Sequence, residues 1–196
     1  MAGVLSTALE PDGLHPKHRL MKYHAWFSSR IEKGWDVMDI GCGNGALAFD
    51  IKPFCRSVTG IDISRENIDR ARERFSREGI SYMCADALTC QFERPHDAII
   101  LSNVLEHIEG RVEFLKRIYA NQNKERPPVL LIRVPMINRD WITLYKKEMG
   151  VEWRLDDTHF TEYTLAQLVS ELEQAGLAME THEIMFGECY GVVKKR

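Results

Sequence analysis

The stretch Trp35-Asp36-Val37-Met38-Asp39-Ile40-Gly41-Cys42-Gly43-Asn44-Gly45 reads as a short apolar strand that runs into three glycines. Ala46–Ile51 then has helical character and stops before Pro53. Glycines let the chain turn sharply and let its backbone approach a ligand closely. A strand, a glycine turn and a helix in that order form half of a βαβ unit, and in an open α/β sheet ligands bind at such strand ends.

The same alternation continues downstream. Ser57–Ile61 predicts a second strand, and Ser64 caps an amphipathic helix expected to reach Glu78, closed by Gly79. Ile80–Cys84 predicts a third strand and Ala98–Ser102 a fourth. The latter is a continuous apolar run suited to burial on both faces. A helix is expected over Arg111–Asn121, a fifth strand over Val129–Val134 and a helix over Thr164–Ala175. Leu177–Phe186 and Cys189–Val193 predict a terminal hairpin turning at Gly187-Glu188. Upstream, Leu20, Tyr23, Trp26, Phe27 and Ile31 recur at helical spacing, predicting one N-terminal helix from about Leu14 to Ile31 after a loose leader. Strands alternating with helices imply right-handed crossovers and a largely parallel, doubly wound α/β sheet. Met136–Phe160 fits neither periodicity. It predicts an insertion over the strand ends.

The composition narrows the class. At 196 residues, with 44% hydrophobic and 28% charged positions, the chain suits one globular domain. A net charge of −3 gives no overall attraction to nucleic acid or anionic lipid. Five scattered cysteines form no C-x-x-C pair, which argues against a disulfide framework or zinc cluster and makes a reducing cytoplasm the expected setting. Met1–Gly13 shows no signal-peptide pattern, and no apolar run is long enough to span a bilayer.

Three acidic residues stand at successive strand ends. Asp39 closes the first strand. Asp62 follows the second and is placed to accept the hydroxyls of a ribose. Asp86, in Cys84-Ala85-Asp86-Ala87, follows the third and can accept an adenine amino group, with the Ala87 N–H facing a ring nitrogen. The glycine spacing is G-x-G-x-G rather than the dinucleotide G-x-G-x-x-G. A pyrophosphate would also meet Asn44, Gly45 and the nearby Asp39, which does not suit a phosphate.

In order, VMDIGCGNGALA, GIDIS, CADAL and HDAIILSNVLEHI resemble the motifs of class I S-adenosylmethionine-dependent methyltransferases, over roughly Asp36 to Val134. The resemblance implies a Rossmann-like seven-stranded sheet, mostly parallel with a C-terminal antiparallel hairpin. It implies that Gly41, Cys42 and Gly43 meet the methionine part of the cofactor, Asp62 and Ile63 its ribose, and Asp86 and Ala87 its adenine. Asp39 and Asn103 border the same site. The run Gly13–Arg19 resembles a segment of the ubiquinone-biosynthesis O-methyltransferases in which an arginine meets the cofactor carboxylate. That role falls to Arg19, with Lys17 and Lys22 as alternatives.

Methyl transfer from a sulfonium needs an aligned nucleophile and, for a hydroxyl, a proton acceptor. Asn103-Val104-Leu105-Glu106-His107 resembles the E-x-x-E-H pattern of the ubiquinone group and of small-RNA 3′-end 2′-O-methyltransferases, where acids and histidine hold a divalent ion. The RNA enzymes add a downstream histidine, matched here by His159. Asn103 stands where those groups carry Glu, so a missing charge favours a metal-free site with His107 as base and Glu106 and His159 beside it. The expected function is methylation of a small-molecule acceptor at oxygen, with S-adenosylmethionine as cofactor and neither membrane nor nucleic acid as partner. Two alternatives stay open: an RNA 3′-end 2′-O-methyltransferase and a catalytically inactive binding protein of the same fold.

Overall fold

The computed structural model describes residues 16–92, 94–120 and 122–196. Its centre is a seven-stranded sheet in the order β3-β2-β1-β4-β5-β7-β6. The strands are β1 (Asp36–Ile40), β2 (Ser57–Asp62), β3 (Ile80–Cys84), β4 (Ala98–Ser102), β5 (Val129–Pro135), β6 (Leu177–Met185) and β7 (Glu188–Lys195). The first five are parallel to one another, and β7 runs antiparallel to both β5 and β6. The mostly parallel sheet with a reversed hairpin is thus as expected from the sequence.

The alternation of side chains sorts each strand into two cores. On β4, Ala98 and Ile100 face one cluster, and Ile99 and Leu101 face the other. The first cluster is closed by α2 (Tyr23–Ser28) and α3 (Ala46–Ile51), through Trp26, Phe27, Leu47 and Ile51. The second is closed by α5 (Arg111–Ala120) and α7 (Leu165–Gln174), through Phe114, Ile118, Leu168 and Leu172. Burial on both faces explains why the central strands read as continuous apolar runs rather than as alternating ones.

The helices match their capping chemistry. In α4 (Arg65–Arg74), the Ser64 hydroxyl accepts from the Asn67 N–H at 3.3 Å. Thr164 caps α7 through the Gln167 N–H at 3.1 Å. Three expectations need correction. The N-terminal helix is two helices, α1 (Lys17–Met21) and α2, broken at Lys22, whose φ is 51°. The break turns Tyr23, Trp26 and Phe27 into the core while α1 buries nothing. Leu14 and His15, where that helix was expected to start, lie outside the described residues. Helix α4 ends at Arg74 rather than Glu78 because Phe75 leaves helical geometry to pack against Phe49, with ring centres 5.7 Å apart. The 136–160 segment contains a helix, α6 (Trp141–Glu148), capped by the Asp140 carboxylate on the Thr143 N–H at 2.7 Å. Only Thr143 of α6 is buried, and its apolar Trp141, Leu144 and Tyr145 are exposed. Among the described residues, no helix is long and apolar enough to cross a membrane.

One charged cluster joins three segments at the amino end of β1. Asp36 accepts from Arg56 and Ser57 and lies 3.8 Å from Arg94. The Arg56 hydrogen bonds hold its carboxyl down to about 2. A depressed carboxyl adds stability above its unfolded-state pKa, and that stability drains as pH falls through the folded value. Denaturation curves measured against pH are expected to show Asp36→Asn less stable than wild type at neutral pH. The gap should close between the ordinary carboxylate range and about pH 2. A gap of constant size would refute the linkage.

Candidate active site

Strand order reverses between β1 and β4, so their carboxyl ends lie side by side with a cleft above them. The glycine turn after β1 forms its floor. Gly41, at φ 70°, sits so close to Val104 that an added Cβ would lie 2.5 Å from the Val104 Cγ2. The Gly41 and Cys42 N–H groups donate to the Ile61 carbonyl at 2.7 and 3.0 Å. The Gly43 N–H donates to Asp62 Oδ2 at 2.8 Å. The loop is therefore clamped to the end of β2.

The cleft has two lobes of about 520 Å³ each, which meet at Gly41, Asn103 and His107. One lobe is lined by Asp62, Ile63, Asp86 and Ala87, the expected nucleoside residues. Asp62 Oδ1 accepts from the Ser64 N–H at 2.8 Å and from Asn67 at 3.3 Å. With Gly43 on Oδ2, three of a carboxylate's roughly four lone-pair positions are taken. The remaining one is on Oδ2. Asp86 accepts from the Leu88 N–H at 2.8 Å, which shapes its loop.

The second lobe is lined by Asp39, Gly41, Cys42, Gly43 and Asn103, with Glu106, His107 and His159 opposite. Asp39 is 1% exposed and its Oδ2 has no hydrogen-bond partner among the described residues. Burial, reinforced by the charge of Asp62, pushes its carboxyl up to about 8. Such a site favours a ligand that brings positive charge.

Arg19 is not on this wall; Lys17 and Arg133 are. Arg133 sits on β5 at 2% exposure. Its Nε donates to Asn103 Oδ1 at 3.1 Å and lies 3.3 Å from Glu188, and its guanidinium stacks 3.8 Å over the Tyr23 ring. One terminal nitrogen, Nη1, has no partner among the described residues. Asn103, at φ 56°, also donates to Glu188 at 3.2 Å. Its amide is thus held between a cation and an anion, where a second carboxylate would face Glu188 directly.

Glu106, His107 and His159 meet, with one ligand atom from each lying within 4.8 Å of the others. The two imidazole centres are 4.7 Å apart and the rings are nearly perpendicular. Glu106 and His107 lie on the short turn Leu105–His107 after β4. His159 comes from the loop before α7, which is pinned by the Phe160 N–H donating to the Glu106 carbonyl at 2.7 Å. Burial pushes the Glu106 carboxyl up to about 8, and neither of its oxygens has a partner among the described residues. Burial and the neighbouring His159 lower the His107 pKa, favouring the neutral ring.

Sequence reasoning missed Arg133, Tyr23, Thr158 and Glu162. Arg133 had a signal: a lone charge inside the apolar run Val129–Pro135 is a buried polar group in need of an explanation. The loop residues had none, since their roles depend on contacts between segments distant in sequence.

Residues 37–124 match a family described as a methyltransferase domain. Among curated relatives, an uncharacterised methyltransferase of Mycobacterium bovis is 30% identical over 105 residues, 53% of this chain and 53% of that protein. A ubiquinone biosynthesis O-methyltransferase of Bradyrhizobium diazoefficiens is 28% identical over 160 residues, 74% of this chain and 62% of that protein. The chain thus spans about half to two thirds of these relatives' lengths. The fold is similar to that of the magnesium protoporphyrin IX methyltransferase of Synechocystis PCC 6803, solved with bound S-adenosylhomocysteine. That similarity has a TM-score of 0.68 at 18% identity, over 92% of this chain and 83% of that one. The matched stretch is thus similar to a methyltransferase domain, and the fold is similar to that of a methyltransferase. On this fold the chain carries a cleft with an acid–histidine–histidine cluster on its wall.

Glu106 gives a direct stability test. A buried carboxyl raised to about 8 costs stability at neutral pH, where the unfolded chain ionises it, and an amide of the same shape removes that cost. Glu106→Gln is expected to raise stability by on the order of 1 kcal/mol, the usual size when a strained functional group is relieved. For a chain of this length that is about 2–4 °C in melting temperature. Calorimetric melting checks it, and a lowered melting point would show that the carboxylate has a stabilising partner.

Proposed function

We propose that this protein is an S-adenosylmethionine-dependent methyltransferase acting on an oxygen of a small-molecule acceptor, in one domain whose 136–160 segment covers the acceptor. The observation that carries this reading is the Glu106–His107–His159 cluster on the wall of the cleft floored by the glycine loop. The residues present fit the cofactor. Gly41 permits close approach. The unpartnered Asp39 oxygen suits the ligand's ammonium, and Arg133 Nη1 with Lys17 suits its carboxylate. Asp62 takes a ribose hydroxyl through Oδ2, and Asp86 with Ala87 borders the adenine. When bound, S-adenosylmethionine supplies a methyl already activated by its sulfonium.

The chain's own task is then to hold the acceptor hydroxyl in line and to accept its proton. His107 is the base, since burial and His159 keep its ring neutral and ready to take a proton. His159 orients the acceptor across the 4.7 Å between the rings. The donor set also fits a divalent ion, as the buried Glu106 carboxylate has no other partner among the described residues. Glu106, His107 and His159 would hold it, the nitrogen ligands favouring Zn²⁺ or Mn²⁺ over Mg²⁺. Such an ion would lower the acceptor's pKa. A second acceptor reading, the 2′-hydroxyl of an RNA 3′ end, draws support from His159, because the RNA group that this chain resembles adds a downstream histidine.

Two measurements test the proposal. In calorimetry, Asp62→Asn is expected to lose a hydrogen bond to a charged acceptor, worth roughly 1.5–3 kcal/mol, or about a tenfold or greater loss of cofactor affinity. Unchanged affinity excludes the ribose role. In a methyl-transfer assay with phenolic and catecholic acceptors beside RNA oligonucleotides, His107→Ala is expected to lower kcat by about 10²–10⁴-fold with cofactor affinity retained. Full turnover in that variant overturns the base assignment. Activity that survives EDTA selects the metal-free version, and transfer to RNA alone selects the second acceptor reading.

A further inference from the structure

His107 and His159 each carry a partner on Nδ1, and both partners come from one loop. Thr158 Oγ1 lies 2.9 Å from His107 Nδ1 and donates its own proton to Asp156 Oδ1 at 2.6 Å. Asp156 Oδ1 also accepts the Thr158 N–H at 2.9 Å. A carboxylate ionised near neutral pH only accepts, so the Thr158 hydroxyl proton belongs to Asp156. The Thr158 oxygen must then accept from His107, which places the proton on His107 Nδ1.

The same reasoning applies to the other ring. Glu162, 2% exposed, accepts from Arg139 on Oε2 and from the Leu155 N–H on Oε1. Its carboxylate, paired with a guanidinium, acts as an acceptor in both contacts. His159 Nδ1, 3.1 Å from Glu162 Oε1, is therefore the donor. Arg139 is itself anchored by donating to the Trp153 carbonyl at 2.9 Å.

We propose that Thr158, backed by Asp156, and Glu162, backed by Arg139, are positioning residues that fix His107 and His159 as Nδ1–H tautomers, turning the lone pair of each Nε2 to the reacting oxygen. This rests on the methyl-transfer reading above for its purpose, but not for its geometry. A free imidazole in water prefers the Nε2–H form, which would present a proton where either a base or a metal ligand needs a lone pair. The hydrogen-bond partner on one ring nitrogen decides the state of the other. A single loop thus sets both rings and supplies one of them.

Thr158 and Asp156 are exposed, so changing them leaves the core intact. Long-range proton–nitrogen NMR spectra of ¹⁵N-histidine-labelled protein in EDTA report the tautomer of each ring. Wild type is expected to show Nδ1–H at His107 and His159. In Thr158→Val, His107 is expected to shift to Nε2–H while His159 keeps its form, and Thr158→Ser should restore it. With an accepted methyl acceptor, Thr158→Val should lower kcat about 10–100-fold, the usual cost of losing such a partner, with the cofactor KM unchanged. Finding Nε2–H at either ring of the wild type overturns the proposal. So does a Thr158→Val protein whose His107 keeps its tautomer, or one whose ring changes while kcat does not. If no acceptor is methylated at all, the methyl-transfer reading fails, and the NMR result still decides the ring assignment.

Discussion

The close approach of Gly41 to Val104 is the constraint on which the cleft depends. Parallel pairing sets Ile40 beside both Ile61 and Leu101, so β1, β2 and β4 end at nearly the same level. The chain then has to turn after Ile40 without filling the space above β4. Only a residue with no Cβ fits there, because a methyl group would meet Val104 Cγ2 at 2.5 Å. The positive φ at Gly41 favours glycine for a second, independent reason. Once turned, the loop presents its N–H groups to β2: Gly41 and Cys42 to Ile61, and Gly43 to Asp62. Asp62 therefore holds the loop as well as facing a ligand, which leaves it fewer free acceptor positions than a sequence reading assigns.

The sheet, most helix ends and the order of the acidic residues were legible in the sequence because they are local. Hydrophobic runs, caps at Ser64 and Thr164, and glycines at the turns each act within a few residues. The elements that were not legible answer to distant partners. Lys22 breaks the first helix so that Trp26 and Phe27 can reach β-strand side chains far along the chain. Helix α6 is only eight residues long and leaves Trp141, Leu144 and Tyr145 exposed, so its short apolar period stood apart from any core. The site divides in the same way. Asp39, Asp62 and Asp86 stand at strand ends and were visible by position. Lys17 and Arg133 stand on the wall where Arg19 was expected, since the wall is made by α1 and by the middle of the sheet.

The cleft gathers three of the described residues that bury a polar atom without a partner; Trp35, His96 and Gln122 do so elsewhere. Asp39, Glu106 and Arg133 are each at most 2% exposed, and each keeps at least one polar atom without a partner among the described residues. Elsewhere the chain pairs its charges, as in Arg111 with Glu171 at 2.8 Å. Buried polar atoms without partners are destabilising, so the gathering of Asp39, Glu106 and Arg133 in one cleft marks a site shaped for binding rather than for stability. The signs are also ordered. Acids lie toward the glycine loop and the β4 turn, while Arg133 and Lys17 lie on the wall beside the N-terminal helices. A ligand bearing both an ammonium and a carboxylate matches that arrangement, and a polyphosphate does not.

The wall that carries the histidine pair is built on a different principle from the glycine-loop floor. The glycine loop is held to the end of β2 by the Ile61 carbonyl and the Asp62 carboxylate. The histidine pair is held by side chains of the loop before α7, and that loop is itself fastened through the Glu106 carbonyl to the turn carrying His107. The fastening is reciprocal: the residue whose side chain enters the cluster offers its backbone to the loop that completes it. Because Phe160 donates to Glu106 while Thr158 and Glu162 fix the two rings, displacement of the loop would move His159 and release His107 together. The two halves of the site are therefore separable in their stability. The glycine-loop floor belongs to the sheet, and the histidine cluster forms only when residues 154–162 are seated on the end of β4.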